Sequence, residues 1–90
     1  MLILVLGKKA REFLSKLPPK QYTQIEAKLL QLRQNPFPQD WKHLKGFEWN
    51  RVDVGEYRII YMAQKGILDV PLIGKRNDNE VYKQLKRLEG

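Results

Sequence analysis

Residues 2–6, LILVL, form an unbroken apolar run of strand length, which reads as a strand covered on both faces. The period then changes. Ala10, Phe13, Leu14 and Leu17 recur at i, i+3, i+4 and i+7, one apolar stripe of a helix. Prolines at 18 and 19 stop that helix, and Pro19 can open the next, because a first-turn proline loses no N–H that the helix needs. The second helix is expected to run to about Gln34, with Tyr22, Ile25, Leu29 and Leu32 inward and Lys28 and Arg33 outward. NPFP at 35–38 ends it, and two helices joined so tightly form a helical hairpin.

From Glu48 the alternation has period two. EWNRVDV at 48–54 and EYRIIYMA at 56–63 flank Gly55, the signature of a hairpin with a tight turn. ILDVPLI at 67–73 follows QKG and adds a third antiparallel strand. Pro71 cannot donate to a ladder, so this strand is expected at a sheet edge or bulged there. NDNEVYKQLKRLE at 77–89 then reads as a helix, with Asn77 as its cap, Glu80 at capping-box spacing, and Val81, Leu85 and Leu88 as its apolar stripe. The order is β-α-α-β-β-β-α. It predicts one α+β domain over residues 1–90, an antiparallel sheet packed against a helical hairpin, with a C-terminal helix.

Composition narrows the function classes. The chain has 90 residues, one histidine (His43) and no cysteine, which excludes disulfides and thiolate zinc and argues against a multi-histidine metal site. No cofactor is expected, and the absence of cysteine fits a reducing cytoplasm. MLILVLG is too short for a bilayer span and lacks the charged start of a signal peptide, so no membrane partner is expected. Seventeen Lys and Arg against ten Asp and Glu give a net charge of +7, which suits a polyanionic partner.

The strand pattern places the chemistry. Trp49, Arg51 and Asp53 share one face of their strand, with Val52 and Val54 on the other. On the next strand Arg58, Ile60 and Met62 lie opposite Tyr57, Ile59 and Tyr61. Arg51 and Arg58 therefore stand close, Arg76 joins them if the third strand pairs beside Arg58, and Tyr82 on the last helix can cover the cleft. No serine–histidine pair, carboxylate pair or glycine-rich phosphate loop is present. RNA brings its own nucleophile, however. Its 2′-hydroxyl attacks the adjacent phosphate when held in line, and a protein then has to fix geometry, stabilise phosphate charge and move protons. Arginines and a tyrosine among cations supply those needs. The plainer readings are that Arg58 pairs with Asp53 or Glu56, that Arg76 is a solvated strand end, and that Tyr82 packs beside Val81. His43 reads as a loop residue, and Trp41 and Trp49 as core or interface anchors.

NRVDVGEYRIIY, a strand, and IGKRNDNEVYK together resemble the RelE/ParE superfamily of bacterial and archaeal toxins, as does KHLKGF at 42–47. The late arginine and tyrosine resemble the RelE branch. The resemblance implies a RelE-like fold and the toxin of a type II toxin–antitoxin system, a metal-independent endoribonuclease that cuts mRNA on the ribosome. It implies phosphate-binding roles for Arg58 and Arg76, stacking or proton transfer for Tyr82, and a strand-borne cation at Arg51. Lys42, Lys45, Lys75, Lys83 and Lys86 become rim cations for RNA. The implied partners are a cognate antitoxin, the ribosome and mRNA, in the cytoplasm. Two departures stand out: Asp53 occupies a position that is basic in the pattern, and Lys75 stands where a histidine-based branch has its base. A ParE-like inhibitor that blocks DNA gyrase by binding, and a catalytically weak RNA-binding relative, are the alternatives.

Overall fold

The computed structural model describes residues 1–77 and 79–89. A five-stranded sheet runs in the order β1-β5-β4-β3-β2, where β1 is Ile3–Leu6, β2 Lys42–His43, β3 Asn50–Val54, β4 Tyr57–Gln64 and β5 Ile67–Lys75. Helices α1 (Lys8–Ser15) and α2 (Pro19–Gln34) follow β1, and α3 (Glu80–Glu89) ends the described chain. The α+β class and element order are as expected, with two additions. β1 pairs parallel to β5, with Ile3 opposite Ile67, so the sheet is mixed. β2 is a two-residue strand that pairs antiparallel to β3, too short to show any periodicity.

The two faces of the sheet are packed differently. Val52, Ile59, Tyr61, Leu68 and Val70 pack with Ile25, Leu29 and Leu32 of α2 and with Ala10 and Leu14 of α1. On the other face Ile60, Leu72 and Leu44 meet Val81 and Leu85 of α3, with Phe47, Trp49 and Tyr82 around them. The β3–β4 turn has Gly55 at φ 58°, and the β4–β5 turn has Lys65 and Gly66 at φ 54° and 79°. A positive φ at the first turn residue, as at Gly55, or at both, as at Lys65 and Gly66, matches the right-handed twist of the strands, so these turns fix the register without splaying the hairpins.

Several expectations are corrected. β1 is covered on one face only: Leu4 and Leu6 pack inward, while Ile3 and Val5 are 65% and 45% exposed, because α3 reaches no further than β5 on that side. Tyr22 is exposed, standing at the rim of a groove between β1 and α2. Arg33 is half-buried rather than outward: its Nε donates to the Leu2 carbonyl at 2.8 Å, and its own carbonyl accepts the Leu2 N–H at 2.9 Å. Lys28 also turns in along the surface, to Asp40 at 2.9 Å. Pro71 lies in a central strand, not at an edge. It sits at a bulge, where the β4–β5 register shifts between Ile60 and Met62, and just past the end of β1 pairing at Val70. A missing N–H costs nothing there. The last helix begins at Glu80, and the Asn79 carbonyl accepts the Lys83 N–H, so Asn77 is not its cap. Asp78, which the expected helix included, lies outside the described residues. Leu88 is 52% exposed, past the part of α3 that packs on the sheet.

Candidate functional site

β3 and β4 pair with Asp53 opposite Arg58 and Arg51 opposite Ile60, which puts both arginines and the aspartate on the α3 face. The Arg58 Nε donates to Asp53 Oδ1 at 2.8 Å and its Nη2 to Asp53 Oδ2 at 3.3 Å. Arg51 Nη1 lies 3.5 Å from the same Oδ2. Bonds to charged groups contribute about 1.5–3 kcal/mol, enough to select one orientation of a long side chain. The plainer reading of Arg58, that it pairs with Asp53, is therefore part of the structure. The Arg58 side chain is only 13% exposed, so solvent screens this pair less than a surface one.

The third nitrogen of Arg58 serves α3. Nη1 donates to the Tyr82 hydroxyl, and the guanidinium carbon lies 5.8 Å from the Tyr82 ring centroid. Tyr82 comes this close because of what stands across from Arg58 on β5. That residue is Gly74. A Cβ built there would lie 2.2 Å from Val81 Cγ2, so any side chain would push α3 off the sheet. Glycine weakens a strand interior, and its use here is close approach by another element. Its neighbour Arg76 is exposed and continues the ladder, donating its N–H to the Glu56 carbonyl at 2.9 Å.

The electrostatics are those of one anion among three cations. Burial pushes the Asp53 carboxyl up, but the Arg58 hydrogen bond and the charges of Arg58, Arg51 and Arg76 outweigh it and hold the pKa below the ordinary carboxylate value. The Arg58 pKa is raised, first by its hydrogen bond to Asp53, against the opposing effect of burial. Asp53 and Arg58 thus both keep their charges at every physiological pH.

Of the expected cluster, Arg51, Arg58 and Tyr82 come together, and Arg76 reaches it through its charge. Lys42 pairs across from Arg51 and extends the cationic face onto β2. Lys86, four residues from Tyr82, flanks the same side of α3, and Lys83 is exposed beside it. Lys45 is exposed in the turn after β2. Lys75 does not join them. It pairs across from Tyr57, on the opposite face from Arg58, and lines a cleft of about 280 Å³ with Lys9, Lys16 and Glu80. His43 sits on β2 with its Nδ1 3.0 Å from Asn50 Oδ1. Trp49 packs on the α3 cluster, and Trp41 meets Phe37 edge-on at 5.0 Å. Among the described residues, no group of three His, Asp or Glu gathers as a metal-ligand set. No described helix is long and apolar enough to cross a membrane. Sequence reasoning missed the spacing role of Gly74; a glycine inside a strand of large residues was the available signal.

No protein-family model and no curated protein matches the chain. Solved structures do. The isolated RelE toxin of E. coli superposes with a TM-score of 0.74 at 24% identity, over 98% of this chain and 99% of that one. RelE from the archaeal RelE–RelB complex of Pyrococcus horikoshii OT3 gives a TM-score of 0.74 at 22% identity, over 83% of this chain and 94% of that one. A copper-bound mutant toxin from Helicobacter pylori gives 0.67 at 18%, over 86% and 97%. The chain has the fold of the RelE toxins.

Proposed function

We propose that this protein is a RelE-like toxin, an endoribonuclease that cleaves mRNA on the ribosome and is silenced by a cognate antitoxin. The observation that carries the reading is the convergence of Arg51, Arg58 and Tyr82 on one sheet face, with the charge of Arg76 beside them. In the chemistry proposed, the RNA 2′-hydroxyl gives up its proton to solvent water as it attacks the adjacent phosphorus, and the 5′-oxygen leaves, forming a 2′,3′-cyclic phosphate. The phosphate gains negative charge in the transition state, and the arginines stabilise it there more than in the ground state. Arg58 can only donate, so Tyr82 accepts from it and keeps its own hydroxyl hydrogen for another acceptor. That hydrogen suits the departing 5′-oxygen and assigns Tyr82 the role of general acid. No step needs a metal or a cofactor.

The rim cations Lys42, Lys45, Lys83 and Lys86 hold the RNA backbone, with Lys75 contributing from the other side of β5. A partner antitoxin accords with the solved RelE–RelB complexes among the structural neighbours. The proposed site of action is the translating ribosome of the cytoplasm.

The test is primer extension on mRNA translated with and without the protein, followed by single-turnover cleavage on programmed ribosomes. Discrete stops at codon positions, only with ribosomes present, are expected. Tyr82→Phe keeps the ring and should slow cleavage by about 10²–10⁴ if the hydroxyl transfers a proton. Near-wild-type activity in Phe with loss in Ala would reassign Tyr82 to base stacking. Full activity in an Arg58→Ala, Arg76→Ala double variant would sink the nuclease assignment.

A further inference from the structure

A carboxylate at the centre of a site built for phosphate demands a reason. Asp53 occupies two nitrogens of Arg58 and contacts Arg51, and it stands where it repels the proposed substrate. By charge alone it weakens RNA binding. Geometry points to what it supplies. Arg51, Arg58 and Arg76 repel one another, and a guanidinium on a long, flexible stem has many orientations. Asp53 engages Arg58 through a two-point fork, which fixes the plane of the guanidinium and not just its distance. With Nε and Nη2 committed to Asp53, Nη1 is the nitrogen left for Tyr82, and it is the one that reaches the hydroxyl. The clamp is also rigid at its base, because Asp53 and Arg58 are cross-strand partners set by the turn at Gly55.

We propose that Asp53 is a positioning residue for the cleavage step: its carboxylate clamps Arg58 against Tyr82 and draws Arg51 alongside, at the expense of affinity for RNA. This rests on the nuclease reading above. It makes a prediction that neither a structural role nor a simple loss of a cation makes. Chemistry and binding should respond to Asp53 with opposite signs.

The experiment is single-turnover cleavage on programmed ribosomes for wild type, Asp53→Ala, Asp53→Asn and Asp53→Lys, with the half-saturating concentration read separately from the maximal rate. Asp53→Ala should lower the maximal rate by about 10- to 100-fold, the scale for misplacing a catalytic group. It should also lower the half-saturating concentration and steepen the salt slope of binding by about one unit, since a cation is released to phosphate. Asp53→Asn keeps the shape and one acceptor, so its rate should lie between Ala and wild type. Asp53→Lys should bind most tightly of all and still cleave slowly. A maximal rate that is unchanged or higher in Asp53→Ala or Asp53→Lys overturns the proposal and makes Asp53 a competitor of the substrate. So does a fall in rate and affinity together in a folded variant.

A second measurement needs no activity and no variant to fold. In wild-type protein, nitrogen-15 NMR should find the Arg58 Nε–H exchanging with water far more slowly than that of exposed Arg76. Equal exchange overturns the clamp. Failure of the nuclease reading is seen separately, as wild-type protein that cuts nothing on ribosomes.

Discussion

The two faces of this sheet are built from the same strands and do opposite things. On the hairpin face, β3, β4 and β5 contribute Val52, Ile59, Tyr61, Leu68 and Val70 to a wholly apolar core sealed by α1 and α2. On the α3 face the next residues along are Arg51, Asp53, Arg58 and Ile60, and only a small cluster around Leu72, Val81 and Leu85 holds the covering helix. Arg58 and Ile59 are neighbours in sequence and point to different worlds. Period-two alternation lets one strand carry stability on one side and charge on the other, so the costly gathering of like charges draws on a core it does not interrupt.

The comparison breaks first at Ile59. This residue is fully buried, and Ile59→Ala should cost about 2–5 kcal/mol of unfolding free energy. Urea denaturation measures the loss, and cleavage per folded molecule should be unchanged. Arg58→Ala, one residue away, should do the reverse. It should lower the cleavage rate by about 10²–10³, the scale for removing one charge-stabilising donor, while stability falls by about 1.5–3 kcal/mol, the scale of its charged hydrogen bonds.

Gly74 sits between the two behaviours. Gly74→Ala forces its Cβ into Val81, and overpacking of this kind costs about 1–3 kcal/mol. Because the same contact sets the height of α3, activity should fall with stability. Adding Val81→Ala should recover part of both, and a double variant no better than Gly74→Ala would place the fault elsewhere.

The smallest effects separate the faces by pH. Burial first, then the charge of Asp40, pushes the Tyr61 hydroxyl up to about 12 from an ordinary 10.0, and that hydroxyl donates to the Pro36 carbonyl. A raised pKa means that folding favours the neutral phenol. Its contribution is intact below pH 10 and should fade as pH rises from about 10 through about 12. Asp53 is shifted the other way, so its contribution is intact above the ordinary value of 3.8 and fades only as pH falls through its lower folded value. Near-ultraviolet circular dichroism should report loss of the hairpin-face signal at the alkaline end and loosening of the Tyr82 contact at the acid end.

Most of the fold was legible because alternation is a direct record of which face a residue serves. Arg51 and Arg58 are placed by that record and Tyr82 by the last helix; Arg58 meets Tyr82, and Arg51 shares Asp53 with Arg58. What stayed hidden depended on partners far away in the chain. LILVL is apolar throughout, so nothing in it says that Ile3 and Val5 face no covering helix. Arg33 reads as an outward cation until the Leu2 carbonyl, thirty-one residues away, needs a donor. Lys75 lies beside Arg76 in sequence but on the wrong face for the site, which only the β5 register reveals. Asp53 is visible in the sequence as an anomaly, but its two arginine partners are visible only in the strand pairing.

The bulge in β5 carries a consequence for the site that no side chain in it displays. Leu68 and Val70 face the helical hairpin, yet Leu72, two residues on, faces α3, and Ile73 has returned to the hairpin side. One extra residue has advanced the strand by half a period. Everything downstream inherits that phase: Gly74 beneath Val81, Arg76 at the ladder's end, and the approach of α3 with Tyr82. Straightening β5 with every residue kept would rotate Gly74 away and leave the branched side chain of Ile73 where α3 must lie, whereas deleting Pro71 would remove the bulge and keep Gly74 facing α3. The bulge in this sense sets the phase of the strand: with seven positions from Leu68 to Gly74, it determines whether the tyrosine meets its arginine.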